Sequence, residues 1–131
     1  MKVLLKKLFG NRGERAAIRF LRKQGYKILH RQYRSRMGEI DVVAKDGERL
    51  VFVEVKTRKS SAAGEPFEAV TFEKQRKLTK LALAYLKRYN LLEHSTRFDV
   101  LAVIWPEGDR KPQITHYKNA FEPVGSGQMF S

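Results

Sequence analysis

Apolar and polar positions alternate along this chain with two different periods, and the changes of period divide it into elements. Ala17, Ile18 and Leu21 recur at helical spacing, which predicts a first helix over about Arg12 to Gln24 closed by Gly25. Tyr26, Ile28 and His30 then alternate at a period of two, so Tyr26 to Arg36 reads as extended chain. From Gly38 to Arg58 two strands flank Asp46-Gly47, a strong hairpin signal. The run SSAAG, 60 to 64, reads as a loop and the best candidate for disorder. A second helix is expected from about Pro66 or Thr71 to Tyr89, with Leu78, Leu81, Ala82, Tyr85 and Tyr89 as its core stripe. Arg97 to Trp105 has the composition of a buried strand and Gln113 to Tyr117 that of an edge strand, while the tail 123–131 reads as mobile. The order α-β-β-β-α-β-β, with no internal repeat, predicts a single α/β domain with helices flanking a central sheet.

With Asp46 and Gly47 as the two loop residues, Lys45 faces Glu48, Asp41 faces Phe52, and Glu54 faces Glu39. Glu54 is then diagonal to Asp41 at roughly 7–8 Å between backbones. Alternation places Ile40 and Val42 with Val51, Val53 and Val55 on one face. Glu39, Asp41, Val43, Leu50, Phe52, Glu54 and Lys56 fall on the other. Carboxylates sharing a sheet face with Leu50 and Phe52 are costly unless paired or bound to a cation. Asp41 and Glu54 could hold a hard divalent ion such as Mg²⁺ or Mn²⁺, with Lys56 beside them to neutralise a phosphate or help deprotonate a water. The plainer alternative is a cross-strand Asp41–Lys56 ion pair with Glu54 solvated at the sheet edge. Glu14 is an oddity, because it falls on the apolar stripe of the first helix with Ile18 and Leu21. An ion pair with Arg15 or Arg19, or a place in the first helical turn, would account for it.

Composition narrows the partners. The 131 residues carry no cysteine, so thiol nucleophiles, disulfides and cysteine zinc sites are excluded. No apolar run is long enough for a membrane span and no secretory signal is visible, so a cytoplasmic protein is expected. The formal net charge is +13, of which residues 1–36 supply +11. So one-sided a field suits a polyanion, nucleic acid first. The rival is docking on anionic lipid through residues 1–9, MKVLLKKLF, which read as a short, mobile N-terminal segment. His30, His94 and His116 lack metal-ligand spacing, Trp105 reads as core, and Tyr33, among Arg31, Arg34 and Arg36, is a candidate for stacking on an unpaired base.

Gly13-Glu14, GEIDVVAKDG at 38–47, VFVEVKTR at 51–58, KQRKL at 74–78 and RFDVLAV at 97–103 together resemble the YraN-like bacterial family. That family is similar to the PD-(D/E)XK nuclease superfamily and, within it, to archaeal Holliday-junction resolvases. The resemblance implies a restriction-endonuclease-like αβββαβ core and a magnesium-dependent endonuclease acting on DNA, branched DNA included. Asp41 and Glu54 match the two metal-binding acids, Lys56 the catalytic lysine, and the Val55 carbonyl a further ligand. Glu14 matches an acid that resolvase-like members carry on the first helix. Lys74 or Gln75 matches, more loosely, a polar residue on the second helix. Arg12, Arg15, Arg19, Arg31, Arg34, Arg36 and Arg58 complete the expected nucleic-acid-binding set. Two departures are Ile40 where the motif has proline and Gln32 where asparagine is expected. By analogy with the resolvases a homodimer is expected. The alternative is a nucleic-acid-binding module that keeps the fold without hydrolysis.

Overall fold

The computed structural model describes residues 2–60 and 70–125, with side chains from Lys7 onward. Its elements are α1 (Lys2–Lys23), β1 (Lys27–Ser35), β2 (Gly38–Asp46), β3 (Arg49–Arg58), α2 (Phe72–Arg88), β4 (Thr96–Ile104) and β5 (Gln113–Phe121). The strands form one sheet in the order β1-β2-β3-β4-β5. All neighbours are antiparallel except β3 and β4, the parallel pair that the intervening α2 makes necessary. The arrangement is the expected mixed sheet with two helices, consistent with an αβββαβ core. The expected loop at 61–64 and the last six residues of the expected tail lie outside the described residues.

Local chemistry sets the helix ends. Thr71 caps α2, its hydroxyl accepting from the Lys74 amide at 3.2 Å. At its other end the Leu91 amide donates to the Leu86 carbonyl at 2.8 Å, and the equivalent Tyr26-to-Leu21 bond of 3.0 Å closes α1 beyond Gly25. The α1 helix begins ten residues earlier than periodicity predicts. Residues 2–11 carry Lys2, Lys6, Lys7 and Gly10, which blur the apolar stripe.

Each helix covers one face of the sheet. Ala16, Ala17, Ile18 and Leu21 of α1 pack on Val42, Ala44, Val51, Val53, Leu101 and Val103. Leu78, Leu81, Ala82, Tyr85 and Leu86 of α2 pack on Ile40, Val43, Leu50, Phe52, Phe98 and Val100. Trp105 is core, as expected, its indole donating to the Asp109 carbonyl at 2.9 Å. Tyr33 is half-buried against Tyr85, with ring centroids 5.0 Å apart, and its hydroxyl accepts from Arg88, so it is not a free stacking platform.

The strands depart from expectation in three places that shape the site. The hairpin loop is Gly47-Glu48, so Asp46 pairs with Arg49 and Val43, not Asp41, lies opposite Phe52. Gly47 takes φ +62° at the first loop position, the place that II′ hairpins give to glycine, while the Asp46 carboxylate reaches Arg97 at 3.3 Å and stays in the strand. Second, the β2–β3 ladder ends at Val42↔Val53, and Ile40 packs on the α2 side although Val42 packs on the α1 side. The alternation therefore breaks at Asp41. Third, Gln32 in β1, across from that break, has φ +50°, a left-handed conformation that is costly for a residue with a side chain.

One close approach fixes α1 against β3. A Cβ at Gly13 would overlap the Thr57 side chain, so glycine lets the helix lie on the strand. Gly13→Ala is expected to destabilise the fold by about 1–3 kcal/mol through overpacking. Urea unfolding would measure this, and an unchanged midpoint would refute the contact.

Candidate metal centre

Three elements deliver carboxylates to one place. Gly13 seats α1 so that Glu14, mid-helix and away from any first turn, leans towards the break in β2. Glu14, Glu39 and Asp41 offer oxygen atoms that all lie within 4.8 Å of one another. Neither sequence-based account of Glu14 holds: among the described residues it makes no ion pair with Arg15 or Arg19, and its carboxylate accepts from Gln32 Nε2 at 3.4 Å. The same Gln32 nitrogen lies 3.1 Å from Asn11 Oδ1. The left-handed turn at Gln32 is thus tied to a hydrogen bond that aims Glu14.

Asp41 replaces a rung of the ladder. Its Oδ2 accepts from the Val55 amide at 2.8 Å, where a continuing antiparallel pair would have used a backbone carbonyl. Burial, then the nearby Glu54 and Glu14 carboxylates, push the Asp41 acid up to about 8. Glu14 is raised too, first by burial and then by Glu39 and Glu54, against the hydrogen bond from Gln32. Acids destabilised as anions by burial and by one another are what a divalent cation would relieve.

Glu54 is 7% exposed, buried rather than solvated at a sheet edge. Its Oε1 accepts from Lys74 Nζ at 2.7 Å and lies 3.4 Å from Lys56 Nζ. Lys56 therefore pairs with Glu54, not with Asp41 across the strands. Burial and the adjacent Lys74 lower the Lys56 pKa. Burial works the same way on Lys74, but contact with Glu54 outweighs it and raises that ammonium. A cavity of about 310 Å³ opens beside these groups, lined by Glu39, Asp41, Glu54, Lys74, Lys77 and the flank of α2.

The sequence-predicted residues thus divide. Glu14, Asp41, Glu54, Lys56 and Lys74 converge, and Val55 contributes its amide to Asp41. Gln75 turns away and donates to the Val70 carbonyl at 3.0 Å. Arg34 is held by Glu39 at 3.2 Å, next to the acids. Arg12 stacks over Trp105 at 3.6 Å, and Arg19 lines a separate basic cavity with Lys23, Arg110 and Lys111. Arg15, Arg31 and Arg36 are exposed to differing degrees, and Arg58 is half-buried at the end of β3. Glu39, Gln32 and Asn11 join the site without having been expected there. The Gly-Glu that opens β2 is the available signal for Glu39, but strict alternation sets it beside Glu54 rather than beside Glu14.

Fold and site define a mixed-sheet α/β domain in which a partly buried acid cluster meets two lysines where β2 parts from β3. Residues 13–103 match the model of "Uncharacterised protein family UPF0102", and the chain belongs to that family. Similar relatives, each described as a UPF0102 protein, include one from Geobacter metallireducens, 47% identical over 88% of this chain and 93% of its own. One from Trichlorobacter lovleyi is 50% identical over 86% of this chain and 89% of its own. Another, from Caldicellulosiruptor saccharolyticus, is 45% identical over 88% of this chain and 98% of its own. Among the described residues no helix is long and apolar enough to cross a membrane.

Proposed function

We propose that this protein is a metal-dependent endonuclease that acts on DNA, structured DNA included. The observation that carries the reading is the convergence of Glu14, Glu39 and Asp41 oxygens within 4.8 Å, beside Glu54 and a lysine lowered by burial. An all-oxygen donor set of this kind fits a hard cation such as Mg²⁺ or Mn²⁺. Asp41, Glu14 and Glu39, with Glu54 once released by Lys74, would hold it, and it would supply Lewis-acid polarisation of a phosphate oxygen. The protein's own groups do the rest. Lys56 Nζ, half-buried, stands ready to take a proton from the attacking water or to neutralise the attacked phosphate. Lys74 exchanges Glu54 for a phosphate oxygen, and Arg31, Arg34 and Arg36 draw the backbone towards acids that alone would repel it. In a homodimer, two such cavities would face the two equivalent strands of a four-way junction.

One observation favours a second reading, a nucleic-acid-binding module without hydrolysis. Lys74 and Lys56 already neutralise Glu54 at 2.7 and 3.4 Å, an arrangement stable without an ion. A single comparison separates the two. Wild type and Glu54→Ala are incubated with linear, nicked, flapped and four-way DNA and Mg²⁺ or Mn²⁺, and Mn²⁺-induced thermal shifts are recorded in parallel. The nuclease reading expects cleavage and a thermal shift in wild type, both lost in the variant. Salt-sensitive binding by both proteins, with neither cleavage nor a metal-induced shift, would replace it with the binding module.

A further inference from the structure

A second cavity, of about 320 Å³, lies under the other end of α2. Leu81 lines the acidic cavity and Tyr85, one helical turn on, lines this one, so the two open at opposite ends of the same helix face. Its character is different. Leu29, Leu50 and Leu91 give it apolar walls, Tyr89 a partly exposed ring, and among the described residues no acid lines it.

Two features of its lining bear on what could bind there. Lys27 of β1 and Lys45 of β2 are directly opposed in the ladder and both line the cavity. Like charges at facing positions destabilise a sheet, and among the described residues neither ammonium has a carboxylate within ion-pairing reach. A lysine on β1 also guards an edge strand against pairing, but β2 is interior, so that role does not extend to Lys45. The second feature is His94. It lines the cavity with its ring, while its Nδ1 is buried, out of a ligand's reach, and without a hydrogen-bond partner, an unusual state for a ring nitrogen. The other imidazole of the lining, His30, is satisfied by the Tyr85 hydroxyl at 2.7 Å.

We propose that this cavity binds a nucleoside monophosphate unit, the base between Tyr89 and the leucine walls and the phosphate on Lys27 and Lys45. Apolar and aromatic walls accept the faces of a heteroaromatic ring, with the His94 ring part of the same lining. The opposed ammoniums supply the charge that a phosphate needs. The unit has two sources of the same chemistry: a free nucleotide, or an unstacked base within a strand. Only the second rests on the proposed nucleic-acid function, and neither depends on cleavage.

The test is therefore run without metal, in EDTA. Adenosine 5′-monophosphate, adenosine, inorganic phosphate and a short single-stranded oligonucleotide are titrated into the protein while amide shifts are followed by NMR. Adenosine 5′-monophosphate or the oligonucleotide is expected to shift Tyr89, Leu91 and His94, with affinity falling as salt rises. Adenosine and phosphate should each bind at least about 10-fold more weakly, as expected when two contacts act together. The Lys27→Glu/Lys45→Glu double variant should lose at least about 10-fold in affinity, and Tyr89→Ala should weaken binding with its salt dependence unchanged. Circular dichroism checks that both variants fold, and Lys45→Glu alone, which relieves the repulsion, should not lower the melting temperature. A response to the oligonucleotide alone identifies a strand as the source, and a response to the mononucleotide a free ligand. No shifts with either, equal binding of phosphate or adenosine alone, or indifference to the lysine changes would overturn the proposal. Absence of DNA cleavage bears on the acidic cavity and leaves this result untouched.

Discussion

Replacing Asp99 by alanine is expected to cost about 3–5 kcal/mol of stability, the scale for breaking one side of a buried ion pair. For a domain of this size that is a fall of roughly 10–20 °C in melting temperature. Asp99 is fully buried in β4, and its two oxygens accept from four groups: Arg97 Nε at 2.8 Å, Arg97 Nη2 at 3.0 Å, His116 Nε2 at 2.6 Å and the Asn119 amide at 2.9 Å. The chain is bent to supply the last of these. β5 slips register opposite Asp99, and Asn119 adopts φ +51° there. Removing the carboxylate would strand the Arg97 guanidinium, only 9% exposed, with Tyr26 and the rim residue Asp46 as remaining partners. Asp99→Asn should recover only part of the loss, because an amide turns one donor towards donors. Burial alone would raise the Asp99 acid, but hydrogen bonds from His116 and Arg97 hold it below the ordinary carboxylate range. Its stabilising contribution is therefore present above the unfolded-state value near 4 and lost as pH falls through the lower folded value. Urea titrations of wild type and both variants at several pH values would measure this, and a change in midpoint equivalent to under about 1 kcal/mol would refute the network's importance.

Asp41→Asn is expected to do two opposite things. Cleavage, under the proposed function, should fall on the order of 100-fold or more, as when one preorganised charge is lost from an active site. Metal-free stability should rise. Asp41 titrates near 8 in the fold and near 4 when unfolded, so the unfolded chain sheds this proton first. The folded state is then favoured below about 4 and loses that advantage as pH rises towards 8. Wild type without metal should therefore melt at progressively lower temperature between those limits, and the variant, whose amide oxygen can still accept from Val55, should not. At pH 8 the variant should be more stable by on the order of 2 kcal/mol, after screening by Lys56 and Lys74. Added Mn²⁺ should close the gap by stabilising wild type alone. Parallel pH profiles for the two proteins would refute a raised Asp41 acid in the fold.

What could be read from the sequence was written in local chemistry. Thr71 and the stripe from Leu78 to Tyr85 mark α2, the β3 alternation predicts which of its residues meet which helix, and the spacing of Asp41, Glu54 and Lys56 is the site's signature. What could not be read depends on distant partners or on a break in a period. Tyr26, Asp46, His116 and Asn119 gather around the Arg97–Asp99 pair from separate strands and the turn after α1, and no spacing announces them. The phase change at Asp41 arises because its side chain takes a backbone's place, so strict alternation assigns Ile40 to the wrong face. It also keeps Glu39 away from Glu14. The loop moves by one residue because the conformation Gly47 adopts suits the first corner of the turn, and Asp46 is anchored from outside the hairpin.

The early end of the β2–β3 ladder has a mechanical consequence. Beyond Val42↔Val53 the segment carrying Glu39 and Asp41 is fastened to β3 through the carboxylate that accepts from Val55. Glu54, by contrast, stands on a strand paired residue by residue with β4 from Leu50 to Arg58. The acids are thus mounted unequally: Glu54 is held along its strand, while Glu39 and Asp41 sit on a segment that keeps its ladder to β1 but meets β3 through that one side-chain bond. The gap between them can adjust to what it grips by rotating Asp41, with no rung of the sheet broken.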